Sequence, residues 1–168
     1  MMSMPLELVF VCTGNICRSP MAEKILASHL YRAGLANRVR VSSAGTTAWH
    51  VGADADPRTN ATLRRHGYPT GHVAAVFGDG HRDADLVIAM DSGHDRELAQ
   101  LGVPSERRRL LRSFDPDADG LDVPDPYYGP DSGFELVRDQ IEAAVPGLLD
   151  WVRLALAAAP EPIADGGR

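Results

Sequence analysis

The chain has 168 residues, with 17 Lys and Arg against 23 Asp and Glu for a formal charge of −6, and its length fits one compact domain. Hydrophobic residues make up 44% and charged residues 24%, which excludes a disordered, collagen-like or membrane-embedded chain. The acidic balance argues against a nucleic-acid binder with a broad basic surface, and two cysteines, Cys12 and Cys17, are too few for a disulfide framework or a tetrahedral metal site.

The start, MMSMPLELVFVC, lacks a basic n-region, and its apolar run LVFVC is too short for a signal-peptide core or a membrane span, so folding in the cytosol is expected. Leu6, Leu8, Val9, Phe10 and Val11 read as a strand buried on both faces of a parallel sheet. After a loop from Cys12 to Arg18, Ser19 is the expected N-cap and Pro20 the first residue of a helix. Its apolar stripe is Ala22, Ile25, Leu26 and Leu30, and Gly34 stops it. A strand from Val39 to Ser43, a helix from Arg58 to His66 and a strand from Asp85 to Met90 follow. A helix from about Ser92 to Leu101 and a short strand near Arg109 to Leu111 complete the alternation. This order predicts an α/β fold: a single domain with a four-stranded parallel twisted sheet, right-handed crossovers and helices on both faces.

Ligands of such sheets sit at the carboxyl ends of the strands, where Cys12 falls. From Phe114 to Gly133 the chain is rich in Asp, Pro and Gly and reads as a long surface loop. Phe134, Val137, Ile141, Val145, Leu148 and Val152 mark a closing helix that Pro146-Gly147 should kink or interrupt. The domain is expected over 1–158, with 159–168 a flexible tail. The basic run Arg107, Arg108, Arg109 and Arg112 reads as a solvated face.

Cys12 and Arg18 bracket a loop between a buried strand and a helix N-terminus. Backbone N–H groups, the helix dipole and a guanidinium that grips two oxygens at once make that loop a candidate anion site. The same field favours a thiolate nucleophile at Cys12. Gly14 and Asn15 tolerate the left-handed backbone a tight cradle requires, and Ser19 is placed to donate a hydrogen bond to the Cys12 sulfur. Trp49, Tyr127 and Tyr128 offer aromatic walls for a flat ring.

The segment Val11-Cys12-Thr13-Gly14-Asn15-Ile16-Cys17-Arg18-Ser19-Pro20 resembles the active-site signature of the low-molecular-weight protein tyrosine phosphatases. Asp125-Pro126-Tyr127-Tyr128-Gly129 resembles their general-acid loop. Ser43-Ala44-Gly45-Thr46, Asp56-Pro57-Arg58, His72 and Met90-Asp91 extend the likeness over residues 6–152, and Trp49-His50-Val51-Gly52 and Leu111 to Asp115 are most similar to actinobacterial members. The resemblance implies Cys12 as nucleophile, Arg18 as phosphate clamp and Asp125 as general acid and base, with Asp115, Asp117, Asp119, Asp122 and Asp131 as decoys. It places phosphate and substrate against Thr13, Gly14, Asn15, Ile16, Cys17 and Ser19. Asn15, Ser43 and His72 become a supporting network, and Cys12 with Cys17 a reversible protective disulfide. No metal and no cofactor are implied.

The partners it implies are tyrosine-phosphorylated proteins and a cognate tyrosine kinase, with no nucleic acid or membrane, for a monomer in the cytoplasm. Export without a signal peptide, and phosphorylation of Tyr127 or Tyr128, stay open. Three rival functions also stay open: a protein arginine phosphatase, whose loop would carry threonine where Ile16 stands; an arsenate reductase, which would need further cysteines; and a phosphoryl carrier, which would need no Asp125.

Overall fold

A computed structural model describes residues 4–158; the tail expected at 159–168 lies outside the described residues. Its elements are β1 (Leu6–Cys12), α1 (Arg18–Arg32), β2 (Val39–Gly45), α2 (Pro57–Arg65), α3 (Asp79–Arg82), β3 (Leu86–Ala89), α4 (Ser92–Gln100), β4 (Arg108–Leu110) and α5 (Ser132–Ala158). The strands are all parallel in the order β2-β1-β3-β4, so β1 pairs on both edges, with Leu8 opposite Val41 and Leu86.

Period two along β1 divides the core. Leu8, Phe10 and Cys12 join Ile25 and Leu26 of α1 and Phe134 and Ile141 of α5, while Val9 and Val11 face Leu98 of α4 and Val103. The apolar run needs both layers, because each large side chain withdrawn from water contributes about 1.5–3 kcal/mol. None of the described helices is long and apolar enough to cross a membrane.

Two expectations require correction. Ser19 is not the N-cap of α1: the helix begins at Arg18, its cap is Cys17, and the Ser19 hydroxyl is used elsewhere. Pro146-Gly147 does not interrupt α5, which runs unbroken over 27 residues. Pro146 removes one backbone bond, but the stripe from Phe134 to Val152 is buried, and Gly147 lies where a Cβ would come within 2.2 Å of the Phe114 carbonyl. That glycine is there for a close backbone approach rather than as a breaker. The loop expected over Phe114 to Gly133 is irregular from 115 to 131, bounded by the 3-10 turn Leu111–Phe114 and the start of α5, and the four-residue helix α3 is too short to leave a periodic signal.

Candidate active site

Residues 13–17 link β1 to α1 at the carboxyl edge of the sheet, and they must curl tightly. Asn15, fully buried, has φ 58°, the only left-handed non-glycine backbone among the described residues. Its side chain holds the strain in place: Nδ2 donates to Ser19 Oγ at 2.8 Å and to Ser43 Oγ at 3.0 Å, and Oδ1 accepts the Ala75 N–H at 2.9 Å. The Asn15 carbonyl accepts from His72 Nε2 at 2.7 Å. Since a carbonyl only accepts, the His72 proton sits on Nε2; burial, opposed by that carbonyl and Glu23, lowers its pKa and keeps the ring neutral.

Hydroxyl directions then follow. Ser43 receives from Asn15 and donates to the Glu23 carboxylate at 2.6 Å. Ser19 also receives from Asn15, which leaves its own proton for the Cys12 sulfur at 2.9 Å. A donor chain thus ends on Cys12. Both cysteines are buried free thiols. Burial first, then the charges of Asp56 and Cys12, pushes the Cys17 thiol up to about 12, so at neutral pH it stays protonated.

Neighbours hold the loop's carbonyls from outside. Cys12 O accepts from Thr46 N–H at 2.9 Å, Thr13 O from Thr47 N–H at 3.0 Å, and Ile16 O from Asp56 N–H at 2.8 Å. The N–H groups of residues 13–18 donate to no protein acceptor among the described residues, and they form a set of donors at the start of α1. A Cβ on Gly45 would stand 2.7 Å from the Thr13 carbonyl, so β2 can approach the loop only as glycine.

Arg18 is buried, and its Nη1 donates to Asp91 Oδ2 at 2.8 Å and to the Val123 carbonyl at 2.9 Å. Both Nη1 hydrogens are committed, so Nη2 and Nε remain for an anion, with Nη2 3.7 Å from Asp125 Oδ2. Asp125 stands half-exposed on a loop pinned by Val123 N–H to Met90 O at 2.9 Å, and its Oδ1 accepts the Tyr127 N–H at 3.1 Å.

A cleft of about 310 Å³ gathers Cys12, Thr13, Gly14, Ile16, Cys17, Arg18, Trp49, Asp125, Tyr127 and Tyr128. Asn15, Ser19, Ser43 and His72 lie beneath it as the network above. Among the aromatics, Tyr127 is a wall, while Trp49 and Tyr128 are 76% and 94% exposed and belong to the rim. The ring of Tyr128 meets that of Tyr127 edge-on, with centroids 4.8 Å apart.

Sequence reasoning missed Glu23, which receives the Ser43 proton, and His94, while His50 in the cleft wall was legible only within the segment Trp49 to Gly52. Asp91 was legible only as part of a family-like segment. His94 follows Asp91 by three residues, in the first turn of α4, and nothing in the sequence marks it off from an ordinary helix residue.

Known proteins are similar to this chain in sequence and in fold. The family model "Low molecular weight phosphotyrosine protein phosphatase" matches residues 7–158. The low molecular weight protein-tyrosine phosphatase A of Mycobacterium tuberculosis is 58% identical over 158 residues, covering 93% of this chain and 97% of that protein. Among solved structures, a protein tyrosine phosphatase from Entamoeba histolytica superposes with a TM-score of 0.84 at 30% identity, over 90% of this chain and 99% of its own. A Drosophila arginine phosphatase shares the fold as well, at TM-score 0.79 and 28% identity over 92% of this chain and 99% of its own.

Proposed function

Since the chain belongs to the low molecular weight phosphotyrosine protein phosphatases and is a protein-tyrosine phosphatase, we propose that it works through a phosphocysteine on Cys12. The Ser19 hydroxyl aimed at the sulfur is the observation that carries this reading. It lowers the energy of a thiolate and of the same thiolate as leaving group in the second step.

The thiolate attacks phosphorus in line while Asp125 gives its proton to the departing tyrosine oxygen. The loop N–H groups and the open edge of Arg18 take the equatorial oxygens. Asp125, now a carboxylate, removes a proton from water as that water displaces the sulfur, and inorganic phosphate leaves. Thr13, Gly14, Ile16 and Cys17 line the phosphate end, Asn15, Ser43 and His72 support it, and Tyr127 with the Trp49 and Tyr128 rim meets the aromatic ring.

The apolar Ile16 in the wall favours an aryl ester over the charged guanidinium of phosphoarginine. The chain's two cysteines speak against an arsenate-reducing relay, and Asp125 against a carrier that only holds phosphate. Tyrosine-phosphorylated proteins are then the partners, a tyrosine kinase their source, and a monomer in the cytoplasm the working form.

The test is phosphate release, in EDTA and reductant, from matched phosphotyrosine, phosphoserine and phosphoarginine peptides. Release from phosphotyrosine, abolished in Cys12→Ser, is expected; turnover surviving in that variant overturns the phosphocysteine. Asp125→Ala should slow phenyl phosphate by about 10²- to 10³-fold and 4-nitrophenyl phosphate far less, because nitrophenolate leaves without a proton. Equal losses would assign the acid to another group.

A further inference from the structure

We infer that His94 is a positioning residue for phosphate recognition: it ties the hydroxyl of Thr13, the loop residue after the nucleophile, to the carboxylate that orients Arg18. The inference rests on the assignment of Cys12 and Arg18 above.

Asp91 is the N-cap of α4, and one of its oxygens serves two purposes. Oδ1 accepts the His94 N–H at 3.0 Å and also lies 3.2 Å from His94 Nδ1, while Oδ2 holds Arg18 Nη1 at 2.8 Å. The imidazole, 3% exposed, turns back toward the loop and places Nε2 2.8 Å from Thr13 Oγ1. Nδ1 has no aligned hydrogen-bond partner among the described residues, so its environment is the Asp91 carboxylate.

Burial, only partly offset by Asp91, pushes the His94 pKa down to about 4, and the ring is neutral at neutral pH. Burial would raise Asp91, but the bonds from His94 and Arg18 outweigh it and hold the carboxyl below its usual range. One tautomer is then favoured. A proton on Nδ1 faces the carboxylate, whereas a lone pair there would repel it, so Nε2 is left to accept the Thr13 hydroxyl proton.

Thr13 is thereby held on two sides. Its hydroxyl is bound to His94, and its carbonyl accepts both the N–H and the hydroxyl of Thr47, each at 3.0 Å. The peptide that follows the nucleophile, and the guanidinium opposite it, are referred to one side chain on α4. Donors preorganised in this way lose effect steeply with small displacements.

The experiment measures inorganic phosphate binding by calorimetry together with kcat and KM for 4-nitrophenyl phosphate. His94→Ala should weaken phosphate binding on the order of tenfold and lower kcat/KM by about 10- to 100-fold. His94→Gln, whose amide reaches the Nε2 position, should restore most of both; His94→Asn, which ends near Nδ1, should restore little. Thr13→Val should match His94→Ala, and the double variant should be no worse than either alone.

Unchanged phosphate affinity in His94→Ala, losses that multiply in the double variant, or rescue by Asn equal to that by Gln would each overturn the inference. If His94→Ala does not fold, Thr13→Val decides, since it leaves α4 intact: unchanged phosphate affinity there overturns the inference. Phosphate binding does not depend on the nucleophile. Weakened binding in these variants alongside turnover in Cys12→Ser would therefore keep the role of His94 and overturn the phosphocysteine.

Discussion

At the scale of single residues, the site is governed by which groups can only accept and which can only donate. The Asn15 carbonyl and the Glu23 carboxylate fix the directions of His72 and Ser43, and the Asn15 amide NH2 fixes that of Ser19, whose own proton ends on the Cys12 sulfur. Glycine at position 15 would relax the backbone but lose every side-chain bond, so Asn suits both demands. His94 shows the same economy with a consequence for stability. In the unfolded chain its ring takes up a proton through its ordinary 6.5, but in the fold only near 4. The unfolded state therefore binds more protons across that window, and stability is full above pH 6.5, falls as pH drops toward 4, and levels below it. The decline attributable to this ring is at most about 3 kcal/mol. Urea unfolding between pH 4 and 7.5 should show a shallower pH dependence for His94→Gln than for the parent chain. Parallel curves would mean that the buried ring titrates as it does unfolded.

At the scale of elements, what decides the fold is how closely backbones approach. Ala for Gly in a helix normally stabilises by about 0.5–1 kcal/mol. At Gly147 the opposite is expected, because the new Cβ would meet the Phe114 carbonyl at 2.2 Å, and backbone cannot swing aside as a side chain can. Gly147→Ala should destabilise by about 1–3 kcal/mol, read from the urea midpoint at constant m-value. A stabilised variant would show that α5 can slide away from the Leu111–Phe114 turn. The same position explains what the sequence could and could not tell. The Val9-to-Val11 run, the α1 stripe and the loop from Cys12 to Arg18 were legible because each is a local pattern with one physical meaning. Pro146-Gly147 misled because its local meaning, a break, loses to a buried apolar stripe and a contact 33 residues away in sequence with Phe114. Ser19 misled for a related reason: a hydroxyl before a proline reads as a cap, and only the fold brings Cys12 and Asn15 to it. His94 and Glu23 had no local sign, since each matters through a partner far along the chain.

At the scale of the molecule, the loop at residues 13–17 and the loop that carries Asp125 are more than a hundred residues apart in sequence, and a few side chains hold them together. Arg18 binds the Val123 carbonyl from within, and Arg58 works from outside. Arg58 is paired with Asp56, whose burial is outweighed by that pairing so that its carboxyl is held low. The guanidinium lies over the rings of Phe134 at 4.6 Å and Tyr127 at 5.6 Å, and it donates to the Tyr127 carbonyl at 3.0 Å. It clamps the end of the Asp125-Pro126-Tyr127 segment against α2 and α5, and without it Asp125 would keep its own turn, the Arg18 guanidinium beside it and the pins near Val123. Arg58→Ala should therefore lower kcat on phenyl phosphate by roughly tenfold, a fraction of what removing the acid itself costs, with a smaller effect on 4-nitrophenyl phosphate. Phosphate affinity should stay the same, because the donors of residues 13–18 and Arg18 do not touch Arg58. Arg58→Lys should recover little, since an ammonium can neither lie flat between two rings nor bind Asp56 in the same fork. If phosphate affinity falls as well, the clamp also acts through Asp56, whose N–H holds the Ile16 carbonyl at 2.8 Å, and α2 would then position both halves of the site.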